Sequence, residues 1–143
     1  MILRTTIIST FVLLFCLPAN AQQGNNICES WLVGTWKFCR DTTFRKTMKC
    51  RTPLHFYTLK ADGTYTQSNT FGNGKYPFKG FWEVQNNTLI LRDSTVYEGV
   101  FSSSGVEVYP IQFVNSDFFY SKTDSDESER SPDIYHYFIR KAD

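Results

Sequence analysis

The chain has 143 residues, enough for one domain, and its formal net charge of +1 excludes proteins held to polyanions or membrane surfaces by charge alone. Aromatic residues make up 17% of the chain, a share that disordered chains do not reach, so most of the length is predicted to fold. With 5 Pro and 8 Gly, the composition also excludes a collagen-like or proline-rich repeat.

The first 21 residues have the three parts of a secretory signal peptide. Arg4 supplies the positive charge, residues 7–17 form a mostly apolar run, and Ala19-Asn20-Ala21 is a cleavage signal of the A-x-A type. The run is shorter than the ~20 residues that a membrane-spanning helix needs. We therefore expect a signal peptide over residues 1–21 and a mature domain over residues 22–143, which is exported and is periplasmic or secreted.

Beyond the predicted signal peptide, the chain shows strand patterns separated by turns and almost no helical periodicity. After one helical turn within residues 27–33, polar and glycine-containing connections punctuate the sequence, among them the turns at Asp62-Gly63 and Asn86-Asn87. The predicted strands are residues 34–39, 55–59, 64–69, 80–85, 88–92, 95–101, 106–114, 118–122 and 134–141. Short strands joined by turns predict an all-β domain, either an antiparallel sandwich or a barrel.

Cysteine usage fits an exported protein, because disulfides form in oxidising compartments. Cys39 ends the first predicted strand and Cys50 precedes the second, so a bridge between them would close the polar, basic loop over residues 41–52. We predict one disulfide, Cys39–Cys50, that does not include Cys28. Cys28 competes for either partner if the N-terminal segment folds across the loop. No C-x-x-C occurs and both histidines lie far from the cysteines in sequence, so no metal site is predicted.

Several short motifs follow one another in an order that is similar to a known family. They are Gly34-Thr35-Trp36, Asp62-Gly63-Thr64-Tyr65, the strand pair over residues 80–84 and 87–91, and the last strand over residues 137–141. With these motifs the chain resembles the lipocalin-like (calycin-type) domains of secreted bacterial proteins. The resemblance implies a single small up-and-down β-barrel of about eight to nine strands. It also implies that Gly34, Trp36 and Arg140 close one end, with Arg140 stacked over Trp36, which leaves the other end as the mouth.

A search for catalytic residues finds no constellation, so we expect neither an enzyme nor a cofactor. His55 and His136 are the only histidines, and each is predicted to pack on a strand. The sequence has no G-x-S-x-G elbow and no phosphate-binding loop. Glu83 and Glu107 alternate with aromatic or aliphatic neighbours, which predicts that both face outward. The basic residues crowd into one loop, a pattern that disfavours nucleic acid as a partner.

Two functional hypotheses remain. In the first, the barrel interior binds a small apolar ligand. In the second, side chains fill the barrel completely and the basic loop over residues 41–52 docks on another exported protein. The side chains expected to face inward, and to contact a ligand, are Tyr57, Leu59, Tyr65, Trp82, Val84, Leu89, Leu91 and Phe138.

Overall fold

A computed structural model describes residues 27–46, 49–68, 74–123 and 132–142. One 3₁₀ turn, Glu29–Trp31, precedes the strands β1 (Gly34–Asp41), β2 (His55–Leu59), β3 (Thr64–Gln67), β4 (Phe78–Gln85), β5 (Thr88–Tyr97), β6 (Phe101–Asn115), β7 (Phe118–Thr123) and β8 (Ile134–Arg140). Each strand pairs antiparallel with the next, and β8 pairs with β1, so the sheet closes. The prediction of an all-β up-and-down barrel is confirmed. The predicted signal peptide and residues 124–131 lie outside the described residues.

The prediction of a separate strand over residues 95–101 is wrong. β5 continues through Asp93 to Tyr97, and the turn falls at residues 98–100. There Gly99 adopts a φ of 70°, and the Val100 amide donates to the Tyr97 carbonyl at 2.9 Å. Asp93 has the composition of a turn residue, but its carboxylate accepts hydrogen bonds from the amide and the hydroxyl of Thr95 inside the strand. Local side-chain bonding therefore satisfies Asp93 without breaking the ladder.

Alternate side chains along each strand meet in one core inside the barrel. The core includes Trp36 and Phe119, both fully buried, and an aromatic layer around Phe38. The structure places the side chains expected to face inward in the same cluster: Tyr57, Leu59, Tyr65, Trp82, Leu89, Leu91 and Phe138 are buried, and Val84 is partly buried against them. Burial of these apolar side chains is the main force that holds a small barrel together.

Trp36 seals one end of the barrel. Its indole N–H donates to the Leu32 carbonyl at 2.7 Å, and the ring of Phe119 meets it edge-on at a centroid separation of 4.6 Å. The Arg140 guanidinium lies over the Trp36 ring, 4.2 Å from its centroid. Gly34 adopts a φ of 139°, and a Cβ there would come within 2.6 Å of Arg140 Nη1. A glycine at this position is therefore what allows Arg140 to reach Trp36.

Arg140 also ties together the segments that meet at the closed end. It donates to the carbonyls of Val33 at 2.9 Å and Trp31 at 2.7 Å, next to the 3₁₀ turn. On the other side it donates to the Ser116 carbonyl at 3.2 Å and forms an ion pair with Asp117 at 3.0 Å. The planar fork of five N–H donors lets one arginine satisfy several carbonyls at once.

The Cys39–Cys50 disulfide is confirmed, with the two Cα atoms 6.2 Å apart. Cys39 points to the outer wall, where it packs beside Phe118 and Tyr137. Cys28 is disulfide-bonded as well, so the expectation of a single disulfide is wrong. Its partner lies outside the described residues.

The basic loop between β1 and β2 folds back onto the outer wall. The Tyr137 hydroxyl accepts from the Arg45 amide at 2.8 Å and donates to the Thr43 carbonyl at 3.0 Å. The ring of Phe44 contacts that of Tyr120 at a centroid distance of 4.9 Å. These contacts and the disulfide fix the described part of the loop against β7 and β8. Over the residues that the structure describes, no helix has the length and apolarity to cross a membrane.

Candidate functional site

The inner face of β6 carries a carboxylate that reaches solvent. Glu107 is directly opposite Leu91, which is directly opposite Trp82, and both of these partners are buried in the core. Directly opposed residues of an antiparallel ladder share one face of the sheet, so Glu107 faces the interior. Glu107 is nevertheless exposed. The pairing of β6 with β7 begins only at Ile111, so the stretch of β6 that carries Glu107 lies at the rim of the barrel, where solvent reaches it.

Gly105 marks open space next to Glu107. It lies two positions earlier on β6 and therefore on the same inner face. A methyl group built on Gly105 meets no heavy atom within 4 Å, apart from its chain neighbours. Space thus adjoins β6 at Gly105, at the rim of the barrel, whereas core side chains such as Tyr57, Leu91 and Phe138 are each 1% exposed.

The prediction that Glu107 faces outward is wrong, whereas Glu83 lies on the outer wall, where it pairs with Arg92 at 2.9 Å. The neighbours of Glu107 explain the error. Val106 and Val108 are each 56% exposed on the outer wall, so the apolar residues of this stretch face solvent and the acid faces the interior. Alternation finds the two faces of a strand, but it does not tell which face is inside.

Two tyrosine hydroxyls hold the Glu107 carboxylate. Tyr57 donates to its Oε2 at 3.0 Å and Tyr109 donates to the same oxygen at 3.2 Å. Among the described residues, Oε1 has no hydrogen-bond partner. Burial raises the pKa of both tyrosines, and the charge of Glu107 raises each pKa further. Both hydroxyls therefore keep their protons and remain donors to the carboxylate.

A second carboxylate, Asp93, shares this inner face. It is directly opposite Gly80 on one side and Gly105 on the other. Burial raises the pKa of Tyr65, with further contributions from the charges of Asp93 and then Glu107. Tyr65 therefore lies within the electrostatic reach of both acids, and its ring is 6.3 Å from that of Tyr57.

The two histidines stack on opposite sides of Phe38. The His55 and Phe38 rings are 5.8 Å apart at 16°, and the His136 and Phe38 rings are 5.5 Å apart at 12°. Burial is the main cause that lowers the pKa of both histidines. Arg40 lowers the pKa of His136 further, while the charge of Glu107 opposes the shift at both rings. Both imidazoles are therefore held towards the neutral form.

This histidine pair predicts acid sensitivity. In the unfolded chain a histidine binds its proton near pH ~6.5, whereas the folded imidazoles resist protonation until lower pH. The unfolded state then binds more protons, so the free energy of unfolding should decrease as the pH falls through and below about 6.5. Urea unfolding at about pH 7.5 and about pH 5.5 measures this loss. His136→Phe, which keeps a ring beside Phe38, should lose less. Equal losses in both proteins would contradict a depressed pKa at His136.

Two polar atoms of the interior lack partners in the part of the chain that the structure describes. They are Oγ of Ser121, which is fully buried, and Nδ1 of His136. Ser121 and His136 are directly opposite each other on β7 and β8. An unsatisfied buried polar group costs about 1–3 kcal/mol, so the pair is suited to a hydrogen-bonding group inside the barrel. Sequence reasoning missed Ser121, although Ser121 is two positions from Phe119 on the same strand and therefore shares its inner face.

Comparison of the chain with protein-family models, with curated proteins and with solved structures finds no match. The eight-stranded closed barrel is consistent with a lipocalin-like fold. Such a barrel is compatible with a binding module, and the inner face around Glu107 is the place where the chain brings polar groups and open space together.

Proposed function

We propose that the domain is a lipocalin-like small-molecule carrier that binds a mostly apolar ligand in the barrel interior. The observation that carries the proposal is the inner face at Glu107 and Gly105, which is open although Trp36 seals the opposite end. Aromatic rings form the walls, and a few polar groups, Glu107, Ser121 and His136, are available to orient a ligand. An apolar site with a small number of placed polar groups is the usual composition of a ligand pocket.

The proposal is binding and not catalysis. A general base needs a group that orients it, and His136 Nδ1 has no hydrogen-bond partner among the described residues. His55 stacks on Phe38 at the same layer. Glu107 accepts two hydrogen bonds from tyrosines whose own pKa values are raised, so neither hydroxyl is suited to act as a nucleophile or base near neutral pH. No cofactor is part of the proposal.

Export is part of the proposal as well. Disulfides such as Cys39–Cys50 persist in oxidising compartments. The N-terminal segment has the pattern of a signal peptide that ends at Ala21. The carrier would then act in the periplasm or outside the cell.

Filling the open space tests the proposed function. A Cβ on Gly105 meets no heavy atom within 4 Å, so Gly105→Phe should fold, and its ring should fill the space beside Glu107. The matched control is Ser104→Phe. Ser104 directly precedes Gly105, is exposed, and lies on the outer face of β6. We expect a neutral fluorescent probe, N-phenyl-1-naphthylamine, to bind the wild type and Ser104→Phe. Gly105→Phe should bind it roughly 100-fold more weakly or not at all. Unchanged binding by Gly105→Phe would contradict an interior site.

Docking through the basic loop is the second candidate. Lys46, Lys49 and Arg51 are exposed, and among the described residues none of them has an ion-pair partner. Arg45, in contrast, pairs with Asp41 at 2.9 Å. Reversing the charges at Arg45, Lys46, Lys49 and Arg51 together should abolish capture of an exported partner if docking is the function. A ligand carrier should keep its probe affinity after that change.

A further inference from the structure

We propose that the free edge of β6, residues 102–108, pairs antiparallel with the same edge of a second copy of this chain, with a two-fold axis at Gly105. The sheets of the two barrels then continue into each other across the dimer. This interface between copies goes beyond the proposed function, because it concerns the strand edge and not a ligand.

One side of β6 has no strand neighbour over residues 102–108 in the part of the chain that the structure describes. β5 pairs with β6 over residues 101–110, whereas β7 pairs with β6 only from Ile111 onwards. Pro110, the residue before Ile111, has no N–H to donate to β7. An unpaired strand edge is a template for another extended strand.

Every second residue of this stretch turns its backbone N–H and C=O away from β5. The Ile111 amide donates to the Asn87 carbonyl at 2.9 Å, so the backbone of Ile111 faces β5. Backbone groups alternate along an antiparallel strand, so those of Gly105 and Glu107 also face β5. Residues 102, 104, 106 and 108 therefore present their N–H donors and C=O acceptors to the free edge.

The opposite edge of the same hairpin is covered by side chains. Thr95 Oγ1 accepts from the Lys79 amide at 2.9 Å, and the Tyr97 hydroxyl donates to the Pro77 carbonyl at 2.9 Å. Proteins also protect free edges with lysine, with proline or by keeping the strand very short. Residues 102–108 contain neither lysine nor proline, and they extend over about 23 Å. This edge is therefore the one that accepts a partner strand.

A two-fold axis at Gly105 makes the edge complementary to itself. It sets Ser104 opposite Val106 of the second copy and Ser102 opposite Val108, with the backbone groups of each pair facing each other. Gly105 is then opposite itself in a non-hydrogen-bonded pair, where Cα atoms approach to about 4.5 Å. Apart from its chain neighbours, no heavy atom lies within 4 Å of a Cβ at Gly105, so its own chain does not hinder the approach. Each copy uses its own edge, so the assembly closes as a dimer.

The side chains of the edge fit this register. Val106 and Val108 are each 56% exposed on the outer wall, and the axis gathers these valines from both copies on one face. On the inner face, Glu107 lies opposite Ser103 of the second copy, whose hydroxyl is a donor for the carboxylate. The dimer thus covers exposed apolar side chains and keeps the two carboxylates apart.

The two neighbouring registers are less favourable. An axis at Val106 sets Ser102 opposite Pro110, which has no N–H for the second copy. An axis at Glu107 sets the two Glu107 carboxylates directly opposite each other, and like charges in that position destabilise a sheet. Backbone hydrogen bonding and charge therefore both select the axis at Gly105.

Sedimentation equilibrium of the purified protein tests the dimer. An interface confined to one strand edge is small, so we expect a monomer–dimer equilibrium with a dissociation constant on the order of micromolar. Val106→Pro removes an N–H that faces the free edge and spares the bonds to β5, and it should weaken the dimer by about 10-fold or more. Val96→Pro is the matched control on the opposite edge of the hairpin, where Val96 is 63% exposed, and it should leave the dimer unchanged.

Cysteine cross-linking tests the position of the axis. The expected Cα separation at Gly105 lies within the range of disulfides, so Gly105→Cys should form a covalent dimer under mild oxidation. Ser103→Cys is the control on the same face. The register places its two copies four residues apart along the strands, so it should stay monomeric on a non-reducing gel. The cysteines of the described residues are already disulfide-bonded and do not compete.

A monomer at every concentration overturns the inference. A dimer that Val106→Pro leaves as strong as in the wild type forms through another surface and also overturns it. Equal cross-linking of Gly105→Cys and Ser103→Cys, or none at Gly105→Cys, contradicts the two-fold axis at Gly105. If Val106→Pro does not fold, the difference between the two cysteine variants still decides whether the edges pair.

Discussion

Trp36→Ala should lower the free energy of unfolding by about 3–5 kcal/mol, the range for truncation of a large buried aromatic side chain. Trp36 is 0% exposed, contacts Phe119 and donates its indole N–H to the Leu32 carbonyl. The substitution opens a cavity at the sealed end and leaves that carbonyl without its donor. Urea unfolding followed by far-ultraviolet circular dichroism measures the change. A loss below about 1 kcal/mol would show that the closed end does not support the barrel.

Arg140→Ala should cost about 2–4 kcal/mol, because it removes hydrogen bonds from a charged donor to several carbonyls as well as the contact with Trp36. The double variant should lose less than the sum of the single losses, with a coupling of about 0.5–2 kcal/mol. Arg140→Lys is the control, since lysine keeps the charge but not the planar fork, and it should recover only part of the loss. Strict additivity would contradict the stacking of Arg140 on Trp36.

Gly80→Ala should destabilise the protein by about 3 kcal/mol or more, at the upper end for overpacking, because the added methyl has nowhere to go. A Cβ at Gly80 would overlap the carbonyl oxygen of Arg92 and come within 2.9 Å of Cε1 of Tyr65. One of these obstacles is backbone, so relief requires that β4 and β5 move apart. The same urea measurement gives the size of the effect.

Gly105→Ala is the matched control for Gly80→Ala. Asp93 is directly opposite both glycines, so all three lie in one row across the sheet. No heavy atom lies within 4 Å of a Cβ at Gly105, and the substitution reduces the freedom of the unfolded chain. Gly105→Ala should therefore leave stability unchanged or raise it by up to about 1 kcal/mol. Similar losses at both glycines would contradict open space beside β6.

The sequence was informative where strand alternation coincides with burial. Positions such as Leu89 and Leu91 alternate with polar residues, so their inward direction follows from the period of two. The closed end was accessible only through the family resemblance, because no local pattern links Trp36 to Arg140 across the chain. Their contact depends on the pairing of β1 with β8, which brings the first and last strands together.

The candidate site was missed because β6 places apolar side chains on its outer face and an acidic side chain on its inner face. Val106 and Val108 are apolar and exposed, whereas Glu107 between them faces the interior. Asp93 has the composition of a turn residue, yet β5 runs through it. The face that a strand turns inward is decided by its register with neighbours, here by Leu91 opposite Glu107, and register is a property of the assembled barrel.

The direct test of the central claim, that the open end leads to an aromatic-lined ligand site, is where a bound probe lies. Intermolecular nuclear Overhauser effects between bound N-phenyl-1-naphthylamine and assigned aromatic protons provide this measurement. We predict contacts from the probe to the inner rings of Tyr57, Tyr65 and Tyr109. Phe81 is 58% exposed on the outer wall and serves as the internal control. Contacts to Phe81 in place of the three tyrosines would show binding to the outer wall and contradict a ligand site inside the barrel.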